Sequence, residues 1–126
     1  MGCLVAAKEK LLEAVNALED ALARSAKLGE VDFDAHRKDA VELRRLIAAQ
    51  NSAIASLGDD AFETPESRQA FRNEFSKMRS AMAFHQASWP VVSVDRENPS
   101  YVASLRSIRE TNRIFITWVR SALAKP

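Results

Sequence analysis

The sequence is poor in the residues that small folds use as staples and corners. It has one cysteine, Cys3, so no disulfide can close within the chain. A lone thiol fits a reducing compartment. Three glycines and four prolines in 126 residues are too few for an all-β fold with its many tight turns. No apolar run approaches the roughly 18 residues that a membrane-spanning helix needs. The start lacks the basic stretch and apolar core of a secretory signal, so the expected location is the cytoplasm, without membrane insertion. Met1-Gly2-Cys3 is like the beginning of an acylation signal, but Ala6 stands where Ser or Thr is expected. Glycine-rich phosphate loops, zinc-ligand spacings and nucleophile motifs are missing too. No enzymatic activity, catalytic residue, metal or cofactor is therefore expected.

What is present forms helices. Ala, Leu, Arg, Glu and Ser dominate, and most of these favour helix. With 47% hydrophobic and 28% charged residues the chain is globular rather than disordered. Its length suits one domain over 1–126 with a core of its own. The net charge is +1, but the halves differ. Residues 1–63 carry 8 Lys/Arg against 12 Asp/Glu, and residues 64–126 carry 10 against 5. Either an acidic half packs on a basic half, or the basic half offers a face to an acidic partner.

Apolar periodicity predicts an all-α fold, an antiparallel up-down bundle of four long amphipathic helices. The first runs from about Leu4 to Leu28, with Leu4, Leu11, Val15, Leu18 and Leu22 on one face, and Gly29 ends it. The second begins after Asp32, a good N-cap, and ends at Gly58, with Gly58-Asp59-Asp60 as the turn. Its seam is Phe33, His36, Ala40, Leu43, Ile47, Gln50, Ile54 and Leu57, stepping three and four throughout. The third starts at Thr64-Pro65-Glu66, where Thr can cap and Pro suits the first helical position. Its seam is Phe71, Phe75, Met78, Met82, His85 and Trp89. Pro90 stops it. A short extended connection follows, with Val91, Val92 and Val94. Asn98-Pro99 then starts a fourth helix to about Ala124, with Tyr101, Leu105, Ile108, Asn112, Phe115, Val119 and Ala122 on its seam.

Few residues in this pattern could carry chemistry. His36 and His85 lie on seams, but two histidines fall short of the three or four ligands of a zinc site, and no Glu-x-x-His pair is present. Packing with a hydrogen bond is the expected role. A histidine phosphotransfer or regulatory bundle is an alternative, although neither His36-Arg37-Lys38-Asp39-Ala40 nor His85-Gln86-Ala87-Ser88-Trp89 has the spacing of such a site. Gln50 and Asn112 put amides on apolar seams, where they can fix register or border a groove.

The last helix is the most informative surface. Arg106, Arg109, Arg113 and Arg120 share one side of the helical wheel. Ile114 and Trp118 lie on a flank that a simple bundle need not bury. An apolar arc wider than one seam, edged by arginines, has the composition of an interaction surface. The near-neutral chain, with no recognition-helix turn, argues against nucleic acid as the partner. The candidate partner-binding residues are Arg109, Asn112, Arg113, Ile114, Phe115, Trp118 and Val119.

Two passages resemble a known family. One is Ala17-Leu18-Glu19-Asp20-Ala21-Leu22 through Gly29-Glu30-Val31-Asp32-Phe33. The other is Leu105-x-x-Ile108-x-x-x-Asn112-x-x-Phe115-x-x-x-Val119. Together they are similar to the small helical export chaperones of bacterial flagella, of the FlgN type. These have an acidic, leucine-rich first helix, a short turn, and a final helix whose apolar heptads are interrupted by Asn. Lys38 does not sit where that family carries its lysine. The resemblance implies a cytoplasmic, non-enzymatic chaperone. It would hold the amphipathic helix of a flagellar subunit before export, through Asn112, Phe115, Val119 and their neighbours. A self-associating bundle, a homodimer through the last helix, is a further alternative.

Overall fold

A computed structural model of the protein describes residues 2–28, 37–90 and 97–124. They form four helices: α1 (Gly2–Leu28), α2 (Arg37–Ala61), α3 (Pro65–Ser88) and α4 (Pro99–Ala124). No strand occurs among the described residues. Each helix packs on its neighbours in sequence, and α4 closes the ring on α1. One hollow is lined by the end of α1, the beginning of α2, the end of α3 and the beginning of α4. Neighbours are therefore antiparallel, as the periodicity predicts.

The tightest pair is α1 with α2. Its cause is visible in α1, where Ala7, Ala14 and Ala21 are buried at heptad spacing beside Leu11, Val15 and Leu18. Interaxial distance depends on the side chains at the contact, and alanine lets two helices approach closely. The second close pair is α3 with α4. The bundle is thus two helical hairpins laid face to face, with thinner seams between α1 and α4 and between α2 and α3.

Local chemistry sets the helix starts. The Thr64 Oγ1 accepts a hydrogen bond from the Ser67 amide at 3.0 Å, and Ser67 Oγ accepts one from the Thr64 amide at 3.2 Å. This reciprocal cap, with Pro65 at the first helical position, opens α3. At α4 the Asn98 side-chain oxygen accepts from the Ser100 amide at 2.9 Å. Two ion pairs tie the acidic half of the chain to the basic half: Arg72 with Asp59 and Arg120 with Glu19, both at 2.8 Å. Both are exposed, so each adds little stability.

Several expectations need correction. Gly58 does not end α2; the helix runs on to Ala61, and no glycine among the described residues has positive φ. Gly58 instead provides room. A Cβ there would overlap Cε1 of the Phe71 ring. Gln50 is only half-buried, and the amide inside the core is the adjacent Asn51. Phe62, in the turn between α2 and α3, joins the core although no seam predicted it. The proposed cap at Asp32, the stop at Gly29, Phe33, His36 and the extended stretch 91–96 lie outside the described residues.

Candidate functional site

The two ends of the bundle are filled differently. At the end where α2 meets α3, Phe62 and Phe71 stack at 5.3 Å between centroids, and Phe71 and Phe75 at 5.6 Å. Phe115 and Trp118 of α4 lean on the same rings. At the opposite end α1 and α2 supply small side chains, Ala23, Ser25, Ala26 and Ala40. A cavity of about 330 Å³ results. That volume is at the low end of the range for small-molecule pockets.

Its walls are mostly apolar, with Leu22, Ile47, Met82, Leu105, Ile108 and Ile116 among them. Its exposed lining residues are Glu19 and Ala23 from α1 and Arg109 and Arg113 from α4. The mouth therefore lies between α1 and α4, along one of the thin seams. Beside it Arg120 donates to the Glu19 carboxylate at 2.8 Å and to the Asn16 side-chain oxygen at 2.8 Å. The bond from Arg120 holds the Glu19 carboxyl below its usual range. Arg113 pairs with Glu110 one turn away, which lowers the Glu110 carboxyl in the same manner. Arg109 has no acidic partner among the described residues.

The polar wall is made by Arg44, His85, Tyr101 and Asn112. Arg44 follows Leu43 but stands four residues after Ala40 and three before Ile47, on their face. Its Nη2 donates to the carbonyl of Trp89, the C-terminal cap of α3, at 2.7 Å. No carboxylate pairs with Arg44 among the described residues. Burial pushes its pKa down, and nearby Tyr101 offsets part of that. A guanidinium nevertheless stays charged in a protein. It is a half-buried cation with unused donors.

His85 is buried, with Nδ1 2.6 Å from Oγ of Ser104. Burial lowers its pKa from 6.5, and the Arg44 charge lowers it further. The ring is therefore neutral at pH 7. Its position does not suit phosphotransfer, which needs an imidazole that a partner can reach. Tyr101 packs edge-on against Trp89 at 5.3 Å between centroids. Asn112 is 6% exposed, and its Oδ1 has no hydrogen-bond partner. Asn51 Oδ1 is in the same condition, while Asn51 Nδ2 donates to the Met82 sulfur at 3.4 Å. A buried acceptor left unpaired costs about 1–3 kcal/mol. No group of three or more His, Cys, Asp or Glu that could hold a metal occurs among the described residues.

The seven candidate residues of the last helix divide into two sets. Phe115 and Val119 are core, and Asn112 faces the cavity. Trp118 is half-buried against Phe62 at 5.8 Å and Phe71 at 6.4 Å. Only Arg109, Arg113 and Ile114 face outward, with Ile114 49% exposed. The broad apolar arc is thus largely consumed by the bundle itself. Sequence reasoning missed Arg44, whose signal was a cation on the Ala40–Ile47 face.

No described helix is long and apolar enough to cross a membrane. No protein-family model, curated protein or solved structure matches the chain.

Proposed function

We propose that this chain is a non-enzymatic binding bundle that holds an amphipathic helix of another protein along the outer side of α4. The carrying observation is an exposed strip there. Val102 stands open beside Arg106 and Arg109, Ile114 stands open farther along on the adjoining flank, and neither arginine has an acidic partner among the described residues. Exposed apolar residues beside unneutralised arginines favour a helix with an apolar stripe and acidic flanks, docked side by side with α4. Arg113 is already engaged by Glu110, so it contributes less.

The narrower form is a cytoplasmic chaperone that holds a flagellar subunit before export. It rests on the resemblance of the Leu105–Val119 pattern and on the acidic α1. The buried position of His85 favours this reading over a phosphotransfer bundle.

The test is a pull-down from the native lysate with the wild type beside an Arg106→Glu, Arg109→Glu, Ile114→Ala variant. All three side chains are exposed, so helical content should be unchanged by circular dichroism. A partner bound by the wild type and lost by the folded variant supports the reading. Its identity decides whether the flagellar form holds. A partner retained by the variant, or recovery of the chain alone, overturns it. In the second case light scattering reports whether the bundle self-associates.

A further inference from the structure

We infer that the cavity is a binding site for a linear anionic amphiphile of the fatty-acid type, with its carboxylate on Arg44 and its chain along the apolar wall. The inference uses the inner wall of the bundle. It stands whether or not a partner helix docks on the outside of α4.

Three observations converge on this ligand class. The first is shape. The lining residues on α4 run from Tyr101 to Ile116, roughly 22 Å of helix axis. On α1 and α2 the lining runs only from Glu19 to Ala26 and from Ala40 to Ile47, roughly 10 Å each, so the cavity of about 330 Å³ extends farthest as a trough along α4. It suits a single chain better than a fused ring system.

The second is charge. Arg44 is a half-buried guanidinium whose hydrogen bond goes to a neutral carbonyl. A carboxylate is the group that a guanidinium's fork of donors matches best. Neutral His85 and the Tyr101 ring beside it add no competing anion at pH 7. A cationic amphiphile would meet Arg44 with like charge.

The third is the orphan acceptor. Asn112 lines the cavity, and its Oδ1 lies just beneath the wall, buried and without a donor. Eleven residues separate Tyr101, at the level of Arg44, from Asn112, about 16 Å along the helix. At about 1.2 Å per bond in an extended chain, that distance is some 13 bonds. A twelve-carbon acid with a terminal hydroxyl reaches from Arg44 to Asn112, and a small rotation of the Asn112 amide lets it donate the missing hydrogen bond there.

The two tryptophans make the test direct. Trp89 belongs to the cavity end and Trp118 to the aromatic end. A Trp118→Phe protein leaves Trp89 as the sole indole reporter. It is titrated, below the micelle concentration of each probe, with 12-hydroxydodecanoate, dodecanoate and dodecyltrimethylammonium. The expected result is a saturable change in Trp89 emission with both acids and none with the cation. The hydroxy acid should bind at least several-fold more tightly than dodecanoate. Arg44→Met should weaken both acids tenfold or more, and Arg44→Lys by less. Asn112→Leu should erase the preference for the hydroxy acid while dodecanoate still binds. If Arg44→Met does not fold, the acid-against-cation comparison on the parent protein decides by itself. Absence of saturation with either acid overturns the inference. Equal binding of acid and cation, or equal acid binding by a folded Arg44→Met protein, overturns it as well.

Discussion

At one end of the bundle Phe62, Phe71, Phe75, Phe115 and Trp118 share a core, and Gly58 is cut back to admit the Phe71 ring. At the other end the small side chains of Ala23, Ala26 and Ala40 line a cavity whose wall also carries Arg44, His85 and Asn112. The same four helices pass through both ends. Side-chain size alone therefore makes one end a clamp and the other a container. Unpaired polar groups at the hollow end cost stability in the folded state, and the dense aromatic end offsets that cost. A division of this kind is expected where a site must stay open while the scaffold stays folded.

Truncating one residue at each end separates the two most directly. Phe71→Ala removes a ring that touches four other aromatic residues and is almost fully buried. It should cost about 3–5 kcal/mol in urea unfolding. Gly58→Ala attacks the same contact from the other side. The added Cβ forces Phe71 aside, and overpacking of this kind costs about 1–3 kcal/mol. Leu105→Ala, on the cavity wall and only half-buried, enlarges a space that already exists. It should cost less than about 2 kcal/mol. Equal losses for Phe71→Ala and Leu105→Ala would mean that the two ends are equally packed in solution.

Asn112→Leu probes the hollow end. Leucine has the branching of asparagine with somewhat more bulk, which the adjoining cavity can take up, and it leaves no acceptor unpaired. With no ligand present, the substitution should stabilise the protein by about 1 kcal/mol. Destabilisation would show that Asn112 Oδ1 has a partner in solution and is not held in reserve for a ligand. Asn51→Leu is the control. Its Nδ2 already bonds Met82 and its Oδ1 does not face the cavity, so it should change stability without changing ligand preference.

These positions also mark what could be read in the sequence. The helix starts at Thr64-Pro65 and Asn98-Pro99 were legible because capping is local chemistry. The seams of α3 and α4 were legible because large apolar residues repeat at three and four, and Asn112 was visible as an interruption. Gly58 was misread because glycine signals a helix stop more often than it signals space for a distant ring. Ala7, Ala14 and Ala21 were passed over because alanine stands equally well on buried and exposed faces. Trp118 and Phe115 read from the sequence as a partner surface, because a wide apolar arc does not say whether the bundle's own helices will cover it. The cavity was not legible at all. It depends on which small side chains from four helices meet at one level, and one helix's periodicity does not carry that information.

His85 gives the smallest effect and the most selective one. Burial and the Arg44 charge hold its folded pKa below 6.5. In the unfolded chain both influences vanish, and the ring takes a proton near its ordinary value. Between those two values the unfolded state binds more protons than the folded state, so stability rises with pH. The contribution from His85 is complete above pH 6.5 and is lost as pH falls through the lower, folded value. The slope from one such group cannot exceed about 1.4 kcal/mol per pH unit. His85→Gln keeps a group able to meet Ser104 Oγ but removes the titration. Urea midpoints measured from pH 7.5 to 5 should therefore fall more steeply for the wild type than for His85→Gln. The aromatic end, with no titratable ring, predicts no such difference. A wild type and variant with parallel pH profiles would place the His85 imidazole in contact with water, and the hollow end would then be open on the side of α3 as well as between α1 and α4.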